Sequence, residues 1–327
     1  MKHVTVLVPE SSVLQAIADP KYCFGTVNRF LNKSGRESAF HVELVGAKKK
    51  IYLNGRTYCV QTDRLLKEVD RTDLIIIPAL FGDIPGILKI NQMIRPWLIG
   101  QYAKGAEIAS LCTGAFLLAS TGLLNGKKCS THWNFTNKFR LMFPEVIVQE
   151  GSIVTDENRI YSSGGANSYW NLLMYLVEKI TDRETAVLAS KYFAIDISRN
   201  SQSPFALFRG QKEHRDETVK KAQEYIERHV GERITVDLLA DRLAVGRRSF
   251  ERRFRQATGN SVLEYIHRVK MEAAKHSLET SRKTIIEVMF DVGYRDMKAF
   301  RTIFRKITGL SPVEYRNQYS KYPMVSD

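Results

Sequence analysis

The sequence predicts two domains of different class: an α/β domain with an open, mostly parallel sheet flanked by helices, and then an all-α domain built from two similar helical units. Three observations lead to this prediction. Strand-like apolar runs alternate with helical segments up to about residue 180, strand patterns are absent after residue 218, and a segment near residue 250 recurs fifty residues later. Alternating strands and helices are typical of an open α/β sheet, and a repeated segment indicates a repeated supersecondary unit.

The first part of the chain contains four segments with the composition of buried strands. They are residues 4–8, 41–45, 74–77 and 107–111. The dipeptide Asn54-Gly55 lies between alternating residues and predicts a hairpin over 51–61. Helices are predicted over 91–104 (despite Pro96), 115–124 and 167–193. The run 74–77 is apolar throughout, as expected when both faces of a parallel sheet are covered.

The chain is strongly basic. It has 49 Lys and Arg against 35 Asp and Glu, a net charge of +14. Residues 1–210 carry 25 basic and 18 acidic side chains and residues 211–327 carry 24 and 17, so each part has a net charge of +7. The excess favours a polyanionic partner but does not locate the binding surface.

Cysteine usage and apolar run lengths exclude several classes of protein. The four cysteines show neither a CxxC motif nor metal-ligand spacing, which argues against a disulfide scaffold or a zinc site. The apolar run at the amino terminus is too short for a signal peptide, and no apolar stretch approaches the ~20 residues that span a bilayer. We therefore predict a cytoplasmic protein with no membrane association, no metal and no cofactor.

Turn-forming residues separate the two parts. The run 199–204 interrupts the helical pattern, and a polar segment follows over 209–217. We predict an α/β domain over 1–195, a linker over 196–215 and an all-α domain over 216–320.

In the first domain, the strand 107–111 ends at Cys112 and turns directly into a helix. A thiol beside a helix amino terminus is expected to have a lowered pKa. The segment 110–133 resembles the nucleophile elbow of the ThiJ/PfpI superfamily, which has the class I glutamine amidotransferase-like fold, and the resemblance covers roughly residues 1–185. Ligands of an open α/β sheet bind outside the carboxyl ends of its strands. The candidate effector-pocket residues are Cys112, Thr113, Gly114 and His132.

Enzymes of this fold pair the cysteine with a base and usually with a carboxylic acid. His132 is the candidate base, but the expected acid position falls at Gln15 or Ala16, with Glu10 too close to the strand and Asp19 too far along. This departure from the catalytic pattern of the family argues against a catalytic site, and we predict none. We favour a pocket residue kept from an enzymatic ancestor over a redox-sensing thiol or a working hydrolase.

The repeated unit begins with a helix over 247–257. Phe250, Phe254 and Ala257 form its predicted buried stripe, and Arg248 and Arg252 lie on the opposite face. Glu251 and Arg255 lie on one flank. A shorter helix over 236–243 and a turn over 244–246 precede it, which is the helix-turn-helix pattern. The second helix of such a pair can enter the major groove.

The second copy has its support helix over 284–290, its turn over 291–294 and its reading helix over 296–307. Phe300 and Phe304 point inward. The outward and flanking positions are Lys298, Thr302, Arg301 and Arg305. A long helix over 261–278 joins the two units. Its predicted buried face contains Val262, Ile266, Val269, Ala273 and Leu278.

The two copies share eight of the sixteen positions between 250–265 and 300–315. With its GY, F-x-x-x-F, TG-x-SP and YR elements, the segment 216–318 resembles the DNA-binding domain of the AraC/XylS family. The resemblance implies base contacts from Arg248, Glu251 and Arg252, with Lys298, Arg301 and Thr302 as counterparts. The flanking residues Arg255 and Arg305 are further predicted DNA-binding residues. Glu251 has two open roles, because it could accept from cytosine or pair with a neighbouring arginine.

The two resemblances together predict a transcription regulator. Its partners would be double-stranded DNA at an operator or promoter, an unknown small-molecule effector, a second copy of the chain and, as a further candidate, RNA polymerase. The α/β domain would sense the effector or mediate dimerisation. The alternative is a cysteine-dependent hydrolase or amidase with a DNA-targeting domain.

Overall fold

A computed structural model describes residues 1–198, 201–208, 210–212 and 214–320. The chain divides into two compact units, Met1–Gln202 and Ser203–Asp327. This division falls within the predicted linker 196–215, four of whose residues (199, 200, 209 and 213) lie outside the described residues. The predicted domain limits stay predictions.

The described part of the first unit contains eleven strands. They are β1 (Lys2–Leu7), β2 (Phe40–Gly46), β3 (Lys50–Leu53), β4 (Tyr58–Gln61), β5 (Arg64–Leu65), β6 (Leu74–Ile77), β7 (Glu107–Ser110), β8 (Lys128–Cys129), β9 (Ile147–Val148), β10 (Val154–Glu157) and β11 (Ile160–Ser163). Seven form one sheet in the order β10-β11-β7-β6-β1-β2-β5, parallel except between β10 and β11. The prediction of an open, mostly parallel sheet is confirmed, and β3 and β4 form the predicted hairpin.

The central strand β6 shows why this sheet is covered on both faces. Its four residues are all buried. Leu74 and Ile76 pack into one apolar core, whereas Ile75 and Ile77 pack into a second core on the opposite face. Alternate side chains of a strand point to opposite faces, so an uninterrupted apolar run needs a layer of helices on each side.

The first unit has seven α-helices within the described residues. They are α1 (Leu14–Lys33), α2 (Ile84–Ile90), α3 (Ile94–Ala103), α4 (Ala115–Ala119), α5 (Thr136–Met142), α6 (Tyr169–Ile180) and α7 (Arg183–Phe193). Two predicted helices are shorter than expected: α3 starts at Ile94, and α4 ends at Ala119. The single helix predicted over 167–193 is wrong. It is two helices, because Asp182 accepts a hydrogen bond from the Thr185 N–H and caps a new helix.

The regular secondary structure in the described part of the second unit is all helical. Its helices are α8 (Glu217–Arg228), α9 (Val236–Arg242), α10 (Arg247–Thr258), α11 (Val262–Thr280), α12 (Ile285–Asp291), α13 (Met297–Thr308) and α14 (Pro312–Tyr319). The pairs α9–α10 and α12–α13 are the two predicted helix-turn-helix units, and α11 is the long helix between them. We call α10 and α13 the reading helices.

Helix α11 belongs to two separate apolar cores. Val262 and Ile266 pack into the core of the first helix-turn-helix unit, and Leu278 packs into the core of the second. These three predicted inward positions are buried, whereas Val269 and Ala273 are only partly buried. The buried stripe therefore drifts around α11 as the helix passes from one core to the other.

None of the helices in the described ranges combines the length and the apolar character that a membrane span requires.

Candidate DNA interface and effector site

Seven of the eight pairs of identical residues form the frame of each unit, and the exposed pair Arg255 and Arg305 is the exception. Thr258 and Thr308 each donate a hydrogen bond to the carbonyl of the buried phenylalanine four residues earlier, both at 2.8 Å. Gly259 and Gly309 end the reading helices with φ of +72° and +79°. Such left-handed caps suit glycine, which has no Cβ to clash.

The identities continue into the helices that follow. Ser261 and Ser311 form capping boxes with Glu264 and Glu314 at the starts of α11 and α14. The buried rings that come next are also equivalent. The hydroxyl of Tyr265 donates to Glu227 at 2.9 Å, and that of Tyr315 donates to Glu279 at 2.6 Å. Apart from the exposed pair Arg255 and Arg305, the shared residues are therefore used for packing and capping. Most of the surface of each unit is left to the residues that differ.

Five arginines on α10 divide into two groups. Arg253 makes two hydrogen bonds to Asp216, at 2.8 and 2.7 Å, and Arg247 contacts both carboxylate oxygens of Asp237, at 2.8 and 2.9 Å. The other three arginines are exposed and make no ion pair with a carboxylate of the described residues. These three are the predicted DNA contacts Arg248, Arg252 and Arg255.

Glu251 faces the first of these groups. Its carboxylate lies 3.6 Å from the Arg247 guanidinium, and its side chain is partly buried. Of the two roles that the sequence left open, pairing with a neighbouring arginine is therefore present in the structure.

The second reading helix presents a similar face. Lys298, Arg301 and Arg305 are exposed, and no carboxylate of the described ranges pairs with them. Thr302 is exposed as well, but its hydroxyl donates to the Lys298 carbonyl at 2.7 Å. The side chain of Thr302 therefore offers an outside partner its methyl group and the remaining acceptor capacity of the oxygen.

The sharp turn at Cys112 is present in the first unit. Cys112 follows β7 with φ of +54°, a left-handed conformation that costs a non-glycine residue on the order of 1 kcal/mol. Besides the local bond from the Ala115 N–H to its carbonyl, two hydrogen bonds to distant segments hold its backbone. The Cys112 N–H donates to Ser163 at 3.3 Å, and the Thr131 hydroxyl donates to the Cys112 carbonyl at 3.2 Å.

The two residues after Cys112 lock this turn to the neighbouring strand. The Thr113 hydroxyl donates to the Leu80 carbonyl at 2.7 Å and accepts from the Leu80 N–H at 2.8 Å. A Cβ on Gly114 would lie 2.6 Å from the Pro78 carbonyl oxygen, so only glycine fits this close approach. Both residues thus have a structural reason to be present, whatever ligand the edge of the sheet receives.

The expected lowering of the Cys112 pKa is wrong. The residue is only 5% exposed, and burial raises the pKa of the thiol to about 11 against the weaker, opposite effect of hydrogen bonds from Thr113. Burial of the thiolate therefore raises the pKa by more than the adjacent helix turn lowers it.

His132 is half-buried, and burial lowers its pKa. Its Nδ1 accepts a hydrogen bond from the Asn134 N–H at 3.1 Å, so this nitrogen serves as a helix cap. Within the described residues, His132 makes no hydrogen bond to Cys112.

Three positions on α1 bear on the acid that an enzyme of this fold would need. Gln15 is exposed and Ala16 is fully buried. Asp19 accepts a 2.6 Å hydrogen bond from Tyr169, whose hydroxyl pKa is raised by burial, by Asp19 and by the charge of Cys112. Tyr169 thus hydrogen-bonds Asp19 and belongs to the same apolar core as Cys112. The sequence did not predict this arrangement, because the three residues are far apart in the chain.

Gln202 lies within the predicted linker 196–215, but its side chain belongs to the site. It is buried, its amide nitrogen donates to the Thr131 carbonyl at 3.0 Å, and its amide oxygen accepts from the Trp133 N–H at 3.2 Å. Gly164 leaves the space that this side chain fills. The last residue of the first unit therefore holds the segment that carries His132.

A groove of about 320 Å³ lies elsewhere on the first unit. It is lined by the start of α3, including Met93, Arg95 and Ile99, and by Ser120 and Thr121. Both hydroxyls already donate to carbonyls of their own helix turn. The groove is therefore distinct from the elbow.

Comparisons with known proteins match each unit separately. The model of the DJ-1/PfpI family matches residues 25–179, and a helix-turn-helix domain model matches residues 239–318. The chain is similar to the HTH-type transcriptional regulator ArgR of Pseudomonas aeruginosa, with 26% identity over 81% of this chain and 76% of that protein. It is also similar to the regulator GbdR of the same organism, with 29% identity over 67% of this chain and 60%, less than two thirds, of GbdR.

A crystal structure of an AraC family transcriptional regulator from Pseudomonas putida shares the fold, with a TM-score of 0.50 and 16% identity over 59% of this chain and all of that chain. Tandem helix-turn-helix units with exposed cations, together with these matches, define the class of DNA-binding transcription regulators. Within this class, the chain combines a helix-turn-helix domain with an amino-terminal DJ-1/PfpI domain, as predicted.

Proposed function

We propose that this regulator recognises DNA with both reading helices and that its DJ-1/PfpI domain senses a small molecule or mediates dimerisation. One observation carries the proposal for DNA: the two equivalent helices present exposed cations without carboxylate partners among the described residues. The shared residues other than Arg255 and Arg305 are used for the frame. Unpaired cations on a helix that fits the major groove are suited to phosphates and to guanine edges.

The residues proposed to contact DNA follow from this arrangement. Arg248, Glu251, Arg252 and Arg255 act in the first copy, and Glu251 also pairs with Arg247. Their counterparts in the second copy are Lys298, Arg301, Thr302 and Arg305. Each reading helix would contact one segment of the major groove, with the segments about one turn apart.

We propose the edge of the sheet around Cys112, Thr113, Gly114 and His132 as the effector site. Its support is the place of the elbow at the carboxyl ends of β6, β7 and β11, where open α/β sheets receive ligands. Gln202 adds a connection, because the same residue contacts Thr131 and ends the first unit. A ligand that moved the 131–133 segment would also move Gln202.

We further propose that the chain works as a homodimer in the cytoplasm and that Cys112 is not catalytic. The raised pKa of the Cys112 thiol, to about 11, and the use of His132 Nδ1 as a helix cap both support a non-enzymatic role. RNA polymerase is a further proposed partner if the regulator activates transcription.

Sedimentation of the full chain at several protein concentrations tests whether it forms the proposed homodimer.

Selection of bound sequences from random DNA tests the central proposal. The wild-type chain should enrich defined sequences. A variant with Arg248, Arg252, Lys298 and Arg301 changed to alanine should enrich none. The charge-matched control replaces four exposed cations away from the reading helices, Arg56, Lys89, Arg95 and Arg228. Enrichment of the same sequences by both variants would show that the reading helices do not recognise DNA.

Repeating the selection with cell metabolites present tests the effector site. A ligand should change the enriched set or its affinity and should also raise the melting temperature of the chain. A domain that only mediates dimerisation would show neither change.

The hydrolase alternative retains one favourable observation, the strained elbow with φ of +54° at Cys112. Labelling with iodoacetamide separates the two functions, because an activated nucleophile reacts below the ordinary thiol pKa. A pKa of about 11 leaves on the order of 0.1% thiolate at pH 8. We expect exposed Cys59 to react and Cys112 to stay unlabelled at that pH. Rapid labelling of Cys112 would support the enzyme.

A further inference from the structure

Lys270 lies on α11 at the place where this helix passes from one apolar core to the other. The side chains before it, Tyr265 and Ile266, pack into the first core, and Met271 and Ala274 pack into the second. Lys270 itself is only 5% exposed, which is unusual for lysine. A buried ammonium group needs hydrogen-bond acceptors to offset the loss of water.

Three backbone carbonyls supply these acceptors, and they come from both helix-turn-helix units. Nζ of Lys270 donates to the carbonyls of Val230 and Glu232, each at 2.7 Å, in the loop between α8 and α9. It also donates to the carbonyl of Val292 at 2.8 Å, at the end of α12. All three N–H donors of the ammonium group therefore have partners, one of them in the second unit.

Two glycines bring the same loops together. A Cβ on Gly293 would lie 2.7 Å from the Gly231 carbonyl oxygen and 2.6 Å from Nζ of Lys270. A Cβ on Gly231 would lie 3.0 Å from the Asp291 carbonyl oxygen. The two loops thus approach each other through backbone alone. We call Lys270, Gly231 and Gly293 the junction.

A second buried lysine on the same helix shows that burial alone does not produce this arrangement. Lys275 is 2% exposed, and its Nζ donates to the Ala206 carbonyl at 2.6 Å and to Glu272 on its own helix at 2.9 Å. None of its hydrogen bonds links the α8–α9 loop to the α12–α13 turn. Lys275 therefore provides a matched control for Lys270.

We infer that Lys270 is a positioning residue that fixes the separation and rotation of α10 relative to α13, so that the domain accepts two DNA segments at only one spacing. The long helix α11 sets the distance along its axis, but one helix alone leaves the two units able to twist about it. The tie from Lys270 to loops of both units removes this freedom. The inference rests on the proposed recognition of DNA by both reading helices.

The test compares DNA probes taken from the wild-type selection: one with both segments at the selected spacing, one with a single base pair inserted between them, and one with each segment alone. The wild-type chain should lose affinity for the inserted probe. Lys270→Met should bind single segments within about twofold of wild type but should bind the joint probe about 10- to 100-fold more weakly, since a loose pair loses effective concentration. Lys270→Met should also lose less affinity on insertion than wild type does.

Two further variants keep the test decisive. Lys275→Met should keep the wild-type penalty for insertion. Lys270→Arg keeps the charge but not the geometry of three single donors, and it should show an intermediate penalty even if Lys270→Met does not fold. A wild-type penalty in folded Lys270→Met, or in Lys270→Arg, would overturn the inference. Failure of the wild-type chain to select any sequence would instead overturn the proposed function.

Discussion

The two helix-turn-helix units share a buried frame but differ in how their reading helices begin. The residue that precedes α10 in the capping position is Gly246, which has no side chain to cap the helix. Arg247, the first residue of α10, is paired with Asp237. Helix α13 starts at Asp296, whose carboxylate accepts from the Ala299 N–H at 2.6 Å. The positive end of α10 is thus open to a phosphate, whereas a carboxylate already occupies the start of α13.

The turns and the support helices differ in the same way. The left-handed turn position is Ala244 in the first unit, with φ of +50°, and Gly293 in the second, with φ of +73°. On the support helices, the first unit exposes Asp237 where the second exposes Ile286, which is 55% exposed. One frame therefore carries two different surfaces, which is what two different DNA segments require.

The largest difference between the two units is expected in the free energy of unfolding after substitution at their left-handed turn residues. Gly293→Ala should lower the free energy of unfolding by more than about 2 kcal/mol, because strain adds to a Cβ placed 2.7 Å from the Gly231 carbonyl oxygen. Ala244→Gly should change it by less than about 1 kcal/mol, since relief of strain offsets the greater freedom of the unfolded chain. Thermal unfolding of both variants measures the difference. Similar values would mean that the second turn is not tighter than the first.

Substitution on the reading faces should separate the copies by sequence preference. Arg252→Ala should remove about 1–3 kcal/mol of base discrimination in one DNA segment at fixed salt, the usual value of a bidentate arginine contact. Thr302→Ala should reduce base discrimination in the other DNA segment by less than about 1 kcal/mol, because the Thr302 hydroxyl already donates to the Lys298 carbonyl. Competition binding with single-base variants of each segment gives both values. An unchanged preference in Arg252→Ala would remove Arg252 from the interface.

The same comparison shows which features a sequence can predict. The repeat, its buried Phe250 and Phe254 and its glycine stops follow from local period and spacing, and the structure places them as expected. Helix α1 was not predicted, because Pro20 lies inside it and normally signals an end. Its packing against the sheet evidently outweighs this local signal.

The features that escaped prediction depend on partners distant in the chain. Lys270 is buried because its acceptors come from loops 22 and 38–40 residues away, which no helical period reveals. The pairing of Arg253 with Asp216 was missed for the same reason, because these residues are 37 positions apart. At Cys112 the local motif predicted a low thiol pKa, but the apolar surroundings that raise it are assembled by the whole sheet.

Removal of the side-chain cap of the second reading helix should have a smaller effect on stability. Asp296→Ala should lower the free energy of unfolding by about 1 kcal/mol, the usual cost of losing a cap. Because the lost carboxylate would face phosphates, non-specific DNA affinity should rise at the same time. Ser261→Ala removes a cap from α11 and is the control, with a similar loss of stability and unchanged DNA affinity. A fall in DNA affinity in Asp296→Ala would show that Asp296 contacts the DNA favourably.

The smallest difference between the two units is expected at an exposed position where their residues are identical. Arg255 and Arg305 occupy equivalent exposed positions in the last turns of the reading helices, so each should contact a phosphate rather than a base. Replacing either by alanine should reduce the slope of log affinity against log salt by about 0.9 and weaken all sequences equally. Titrations at several salt concentrations measure the slope, and Arg228→Ala on α8 serves as the control. Equal slopes for the two variants would mean that both units sit on the backbone alike and differ only in the bases they contact. A change in one variant alone would mean that the second unit is placed differently on DNA, despite its identical frame.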